Sequence, residues 1–142
     1  MEATMKKLTP NLMVKNISET VKFYVGTLGF ELIMAVPETQ DGMDKEIVDD
    51  KKYVWAQVKN GMVEIMLQEA ESLKQDVAAF ADSQIGASAS FYIETENIEC
   101  FYNKIKNKVE VVKELAISWY GMNEFYIRDN NSYVFCFAEA KK

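Results

Sequence analysis

The chain has 142 residues, 49% of them hydrophobic and 27% charged, and it carries a formal net charge of −6. This length and composition predict one compact folded domain and exclude a disordered chain, and no apolar run approaches the roughly 20 residues of a membrane-spanning helix. The negative charge argues against nucleic acid and anionic membranes as partners and is compatible with cationic ligands.

The cysteines and the first residues of the chain predict a cytoplasmic protein. Cys100 and Cys136 are too few for a disulfide framework, and they lack the CxxC spacing of a redox or zinc motif. Residues 1–10 contain two lysines but no apolar segment, so we expect no signal peptide.

The first half of the chain predicts a strand, a helix and three further strands. Asn16 is suited to cap the helix, with Glu19 three residues later as in a capping box, and Gly29 ends the helix. The pair at residues 60–61, Asn-Gly, is a strong signal for a hairpin between the last two strands. The predicted strands are residues 8–14, 30–36, 53–59 and 62–68, and the polar and charged residues 37–52 form a loop or a ragged hairpin.

The same order of elements recurs in the second half. An apolar stripe with helical spacing runs from Ile98 to Ile105, and Asn97 precedes it as Asn16 precedes the first helix. Residues 129–131 turn the last hairpin, because Asn tolerates the left-handed conformation that such turns use. The predicted strands are residues 88–95, 109–115, 119–128 and 132–139.

This internal repeat predicts an α+β fold of two βαβββ modules that form a curved mixed sheet around a cleft. Residues 1–68 make the first module and residues 88–142 make the second. Residues 69–87 link them and contain a short helix, for which Ser72 is the predicted cap. We expect both modules to belong to one structural domain.

Alternation along each strand assigns one side to a helix and the other side to the cleft. In the strand at residues 53–59, the small apolar residues Val54, Ala56 and Val58 suit packing under a helix. The other side combines aromatic residues, methionine and polar groups, which is typical of a small-molecule pocket. The predicted ligand-binding residues are Thr9, Asn11, Tyr53, Trp55, Glu64, Met66, Ser90, Tyr92, Trp119, Tyr126 and Arg128.

The residues that open and close this pattern resemble a known superfamily. Residues 11–17 read Asn-Leu-Met-Val-Lys-Asn-Ile, and Phe23-Tyr24 and Leu28-Gly29-Phe30 follow. The second half closes with Gly-Met-Asn-Glu-Phe-Tyr-Ile-Arg-Asp at residues 121–129 and with Tyr133. Nearly the whole chain thus resembles the vicinal oxygen chelate superfamily, which includes lactoylglutathione lyase, extradiol dioxygenases and bleomycin-resistance binding proteins. The family's usual Asp-Pro-Asp-Gly turn is replaced by Asp-Asn-Asn-Ser at residues 129–132.

The resemblance implies a metal site that this sequence does not complete. Family members hold a divalent metal with two histidines and two carboxylates, and the matching positions here are Thr9, Glu64, Ser90 and Cys136. Asn11 is the alternative to Thr9, since the two share a face. The sequence contains no histidine, and this set of side chains is not a recognised site for a divalent ion. We therefore expect neither a metal nor any other cofactor.

Several of these residues also fit a purely structural role. Glu64 suits a ligand contact, a general base or a scaffold residue bonded to nearby hydroxyls, and the aromatic residues suit a ligand or core and interface packing. Arg128 suits a ligand carboxylate, but a structural pair with Asp129, with Glu124 or with the turn backbone is favoured. Cys136 is more typical of a buried core residue than of a nucleophile, because no histidine is present to activate it.

The expected function is metal-independent binding, or sequestration, of a small planar or cationic molecule by a homodimer, as in the bleomycin-resistance relatives. The first alternative is a glyoxalase-family lyase, isomerase or dioxygenase that uses Glu64 as a base or metal ligand. The second alternative is a dimeric interaction protein with a vestigial pocket. The expected partners are a small-molecule ligand and a second copy of the chain.

Overall fold

A computed structural model describes residues 2–141, so the outer limits of the predicted modules, residues 1 and 142, lie outside it. It contains eight strands, three α-helices and a short 3-10 helix. In chain order these are β1 (Asn11–Val14), α1 (Ile17–Gly26), β2 (Glu31–Pro37), β3 (Tyr53–Asn60), β4 (Val63–Glu69), α2 (Ala70–Asp76), the 3-10 helix (Ala78–Phe80), β5 (Ser90–Glu94), α3 (Ile98–Ile105), β6 (Glu110–Ile117), β7 (Met122–Arg128) and β8 (Val134–Ala140).

The strands form two four-stranded mixed sheets, and this confirms the α+β fold of two βαβββ modules. The strand order is β1-β4-β3-β2 in the first sheet and β5-β8-β7-β6 in the second. In each sheet the pair that includes the module's first strand is parallel and the other two pairs are antiparallel. None of the helices within residues 2–141 combines the length and the apolar character that a membrane span requires.

The signals at the ends of α1 and in the first hairpin act as predicted. The side chain of Asn16 accepts a hydrogen bond from the backbone N–H of Glu19 at 2.9 Å, which satisfies one of the free donors at the start of the helix. Gly29 and Gly61 both have positive φ, at +80° and +58°, a conformation that glycine adopts without steric cost. The strand predicted from residue 8 begins only at Asn11.

The predicted cap of α2 is wrong, and α3 is capped by a distant residue. α2 begins at Ala70, and its cap is Glu69, whose carboxylate accepts from the backbone N–H groups of Glu71 and Ser72; Ser72 itself lies inside the helix. α3 begins beside Asn97 as predicted, but the side chain of Asn97 makes no cap. Instead the carboxylate of Glu139, 41 residues further along the chain, accepts from the backbone N–H of Ile98 at 3.1 Å, a partner that no local pattern can identify.

The last hairpin turns through Ser132 rather than through an asparagine. Ser132 is the residue with positive φ, at +70°, and it occupies the position where the family's turn has glycine. The turn is stabilised by Asp129, whose Oδ1 accepts from the backbone N–H groups of Asn131 at 2.9 Å and Tyr133 at 2.8 Å. The fold therefore accommodates the altered turn, because the Asp129 carboxylate satisfies the turn's backbone donors.

The two modules meet through the sides of the sheets that the helices cover. Tyr24 of α1 is fully buried, its ring lies 6.1 Å from that of Phe135 on β8, and its hydroxyl donates to Asp129 Oδ2 at 2.6 Å. The hydroxyl of Tyr133 donates to the backbone carbonyl of Met13 at 2.7 Å, a bond that also crosses between the modules. One apolar cluster includes residues from both modules, so the sheet faces opposite the helices point away from each other.

We expect the Tyr24–Asp129 hydrogen bond to stabilise the joint between the modules. Tyr24→Phe leaves a buried carboxylate oxygen without its donor, so it should lower the free energy of unfolding by about 1–3 kcal/mol. Urea denaturation of Tyr24→Phe, Asp129→Asn and the double variant measures the coupling between the two side chains.

Tyr102→Phe is the matched control, since Tyr102 is a partly buried tyrosine of α3 whose hydroxyl takes part in none of the side-chain hydrogen bonds described within residues 2–141. That variant should stay within about 0.5 kcal/mol of the parent. Strictly additive effects of Tyr24→Phe and Asp129→Asn would show that the bond contributes nothing to stability.

Candidate functional site

The side of the first sheet that faces away from α1 is a mixed polar and apolar surface, here called the first open face. Strand pairing places its residues in rows: Gln57 lies opposite Met66, which lies opposite Asn11, and Trp55 lies opposite Gln68. The neighbouring residues of the opposite parity, such as Ala56, Ile65 and Leu67, are buried in the core. The first open face consists of Asn11, Trp55, Gln57, Glu64, Met66 and Gln68.

Glu64 is the one carboxylate among the residues of the first open face, and both of its oxygens have partners. Gln57 Nε2 donates to Glu64 Oε1 at 2.8 Å, and the ammonium of Lys7 forms an ion pair with Oε2. The side chain of Glu64 is 19% exposed and that of Lys7 is 50% exposed. Glu64 is therefore held in a defined position on the sheet, while its cationic partner reaches it from solvent.

At the other end of the first open face, a chain of amide hydrogen bonds surrounds Gln68. Asn11 Nδ2 donates to Gln68 Oε1 at 2.9 Å, and Gln68 Nε2 donates to Asp76 Oδ2 at 2.7 Å and to the Ser72 hydroxyl at 3.0 Å. These bonds link β1 and β4 to α2. Gln68 is buried, so this end of the face is rigid and lies next to the indole of Trp55.

The corresponding surface of the second sheet, here called the second open face, contains a buried carboxylate. Glu124 on β7 is 6% exposed, and the hydroxyl of Tyr120 donates to its two carboxylate oxygens at 2.7 and 2.9 Å. The thiol of Cys136 on β8 lies 4.0 Å from Glu124 Oε2. The second open face consists of Ser90, Tyr92, Tyr120, Glu124, Tyr126, Arg128 and Cys136.

The pKa values of Tyr126 and Cys136 on the second open face are raised, which disfavours a deprotonated nucleophile there at neutral pH. A hydrogen bond with Cys136, then the charge of Cys136 and the burial of the Tyr126 hydroxyl, raise the pKa of Tyr126 to about 12. Burial raises the pKa of the Cys136 thiol above its ordinary value, so less thiolate forms than on an exposed cysteine. Lys113 Nζ lies 5.7 Å from the centre of the Tyr126 ring, so this aromatic side chain already interacts with a cation of the chain.

Three of the predicted ligand residues, Tyr53, Trp119 and Arg128, have contrasting surroundings in the structure. Tyr53 is buried, and its hydroxyl donates to Asp44 at 2.6 Å and accepts from the backbone N–H of Val48 at 3.1 Å. It therefore anchors the acidic loop. Trp119 is 95% exposed in the turn between β6 and β7, and Arg128 forms an ion pair with Glu110 on the neighbouring strand.

Sequence reasoning did not select Glu124, Gln57, Gln68 or Lys7 as site residues. Alternation placed Glu124 on the cleft side of β7, but its burial depends on Tyr120, whose position in a turn no periodic pattern specifies. Gln57 and Gln68 had the right parity and no chemical signal of their own. Lys7 precedes the first strand and reaches Glu64 because the chain before Pro10 runs beside the start of β4, a contact between residues 57 positions apart.

The side chains at the family's metal positions do not fit a divalent ion. Thr9 and Ser90 offer neutral hydroxyls where histidines are expected, Cys136 offers a buried thiol, and Glu64 is already paired with Lys7. No group of three or more His, Cys, Asp or Glu side chains converges anywhere in residues 2–141. Strand pairing also separates two of the positions, since Ser90 lies opposite Val134 whereas Cys136 lies opposite Tyr92.

Two surface clefts lie elsewhere on the chain. One, of about 490 Å³, is bounded by the start of α3, Asn123 and Glu139. The other, of about 250 Å³, is bounded by the start of α1, Lys51, Lys52 and Tyr53. Neither of these two clefts includes Glu64 or Glu124.

We expect the two cysteines to differ strongly in reactivity. Cys100 is exposed and Cys136 is buried with a raised pKa, so a disulfide reagent at pH 8 should modify one thiol per chain quickly. The second thiol should react only as fast as the protein unfolds. Absorbance kinetics with 5,5′-dithiobis(2-nitrobenzoate) measure both phases.

The variants Cys100→Ser and Cys136→Ser assign the phases, since the first should lose the fast phase and the second should lose the slow one. A fast thiol that persists in Cys100→Ser would mean that Cys136 is accessible and reactive.

Comparison with known proteins adds to this geometry. The family model described as "Glyoxalase/Bleomycin resistance protein/Dioxygenase superfamily" matches residues 6–137. No curated protein sequence is significantly similar to the chain.

Similar solved structures share the fold at low sequence identity. A protein of unknown function from Agrobacterium tumefaciens has a TM-score of 0.71 at 17% identity, covering 99% of this chain and 98% of its own. TioX from Micromonospora sp. ML1 has a TM-score of 0.69 at 12% identity, covering 96% and 100%. The bleomycin-binding protein from Streptomyces verticillus, in complex with copper(II)-bleomycin, has a TM-score of 0.59 at 20% identity, covering 99% and 100%.

Proposed function

This chain belongs to the Glyoxalase/Bleomycin resistance protein/Dioxygenase superfamily, and we propose that it binds a small planar or cationic molecule without the help of a metal ion. The observation that carries the proposal is the pairing of a positioned carboxylate and an indole on one sheet face. Glu64 is held by Gln57, and Trp55 stands further along the same face. The side chains at the superfamily's metal positions support a metal-free role, since they include no histidine.

The separation of these two groups sets the size of the ligand. Glu64 lies opposite Lys59 on β3, and Trp55 is four residues from Lys59 along the same strand, a span of about 13 Å. A molecule that contacts both groups needs a cationic end for Glu64 and an aromatic end for Trp55. Met66 lies in the row between them and offers an adaptable apolar contact.

The enzymatic alternative has less support from the site. The raised pKa of Cys136 does not favour a thiolate nucleophile on the second open face. The mechanism that we propose is therefore stoichiometric: the protein lowers the free concentration of its ligand by binding it.

Calorimetric titration tests this proposal. The titrants are metal-free bleomycin and other planar cationic antibiotics, and the protein is first dialysed against a chelator. Glu64→Gln should weaken binding by about 1–3 kcal/mol, because it removes the charge that a cationic donor requires. Trp55→Ala should also weaken binding, and its effect should persist at high salt, where screening reduces the Glu64 effect.

Glu19→Gln is the charge-matched control, since Glu19 is exposed on α1 on the opposite side of the first sheet. It should bind like the parent protein. Equal affinity of the parent, Glu64→Gln and Trp55→Ala would place the binding site elsewhere, and binding that vanishes after chelation would indicate a metal-dependent protein.

We also propose that a second copy of the chain covers the open faces, making a homodimer with the ligand between the subunits. The open faces point outward, and large apolar side chains remain exposed on the second module. A monomer seldom leaves such a group uncovered. The exposed side chains on this module include Tyr92, Val112, Ile117, Trp119 and Tyr120.

Analytical ultracentrifugation at micromolar concentration should then show twice the chain mass of 16.3 kDa. Trp119→Ser should shift the equilibrium towards the monomer, because an aromatic residue at an interface contributes more than its surface neighbours. Met62→Ser is the control, since Met62 is equally exposed at the tip of the hairpin in the first module. A monomeric parent protein would overturn the dimer proposal.

A further inference from the structure

The ion pair between Lys7 and Glu64 is unusual because its cation comes from a segment with little other support. Residues 2–9 form neither helix nor strand, and the side chains of Met5 and Leu8 are 89% and 85% exposed. The chain is first anchored to the sheet at Pro10, whose carbonyl accepts from the backbone N–H of Met66 at 2.8 Å. Lys7 is thus tethered three residues from this anchor and reaches Glu64 from the solvent side.

We propose that Lys7 is a tethered competitor of the ligand: its ammonium occupies the place beside Glu64 that a ligand's cation takes on binding. This inference rests on the proposed function, since it concerns the carboxylate to which we assign the ligand's cation. Binding then exchanges one cation for another. A ligand binds only if its cation interacts with Glu64 more favourably than the ammonium of Lys7 does.

The geometry of Glu64 makes this exchange possible without rearrangement of the sheet. Gln57 orients the carboxylate through Oε1, so removal of Lys7 from Oε2 leaves the acceptor in position. Lys7 is half exposed, and an ion pair between partly exposed side chains is weak because solvent competes with it. Lys59 lies opposite Glu64 in the strand register, yet the ion pair of Glu64 is with Lys7.

The exchange also defines the kind of cation that succeeds. An ammonium such as that of Lys7 is a compact point charge, whereas a planar amidinium or guanidinium presents two parallel N–H donors to a carboxylate. A forked planar cation therefore displaces Lys7 more readily than a simple amine does. A neutral planar molecule of the same shape gains nothing at Glu64 and leaves Lys7 in place.

Nuclear magnetic resonance titration with benzamidinium, a planar forked cation, tests the competition. Lys7→Gln should raise the affinity for benzamidinium about two- to five-fold, the factor by which a weak exposed ion pair favours its closed state. Lys6→Gln removes the same charge from the neighbouring exposed lysine and should leave the affinity within the experimental error. In a Glu64→Gln background, Lys7→Gln should have no effect, and benzamide should bind equally to all variants.

A second measurement needs no assumption about the natural ligand. Acetylation of Lys7 by an N-hydroxysuccinimide ester, followed by mass spectrometry, should be slower than acetylation of Lys6. The difference should disappear in Glu64→Gln and on addition of benzamidinium to the parent protein.

The two measurements separate the competitor role from the proposed function. If benzamidinium binds through Glu64 but Lys7→Gln leaves its affinity unchanged, the competitor role is wrong and the proposed function stands. If Glu64 protects Lys7 from acetylation but benzamidinium neither binds nor releases Lys7, cation recognition at Glu64 fails, and the competitor role fails with it. Faster acetylation of Lys7 on addition of benzamidinium, together with tighter binding by Lys7→Gln, supports both.

Discussion

The buried contact between Tyr24 and Asp129 determines how the two modules are oriented. One oxygen of the Asp129 carboxylate holds the turn of the last hairpin, and the other accepts from the Tyr24 hydroxyl of α1. Burial raises the pKa of Asp129 and raises that of Tyr24 well above its usual value, because neither ionised form is well solvated there. A buried carboxylate is tolerated only with such partners, so the joint admits few alternative packings. Since the helix-covered sides meet at this joint, the opposite sheet faces point outward.

Both open faces arise from the same pattern of strands, but their side chains give them different chemistry. The two modules place different residues at equivalent positions of the strand register. Trp55 lies opposite Gln68 in the first module, and at the equivalent position of the second module Glu124 lies opposite Ala138. The first open face has a partly buried carboxylate beside a half-exposed lysine, whereas the second has its carboxylate buried under the Tyr120 hydroxyl. Glu124 therefore stabilises the turn that contains Tyr120, and Glu64 is the carboxylate to which the proposed function assigns the ligand's cation.

The parts of the fold that local patterns specify were predicted from the sequence. Strand alternation identified the buried side that contains Ala56 and Ile65 and the opposite side that contains Trp55 and Glu64, and Asn16 was recognised as a helix cap. The features that the sequence did not reveal are contacts between distant residues. Glu139 caps α3, Lys7 pairs with Glu64 and Tyr53 anchors Asp44. The residues that neighbour each of these side chains in the sequence give no sign of its distant partner.

The lack of histidine changes what the remaining carboxylate is able to do. With imidazoles at positions 9 and 90, the resemblance would assign Glu64 to a shared cation, and the charge of a metal would hold the carboxylate. Thr9 and Ser90 are neutral and weak ligands, so neither of them compensates the negative charge of Glu64. Lys7 supplies a cation from within the chain. Because its side chain is half exposed, the ion pair with Glu64 is weak. Where the resemblance implies a bound metal ion, Glu64 of this chain is instead paired with the ammonium of Lys7, and in the proposed exchange a ligand's cation takes the place of that ammonium.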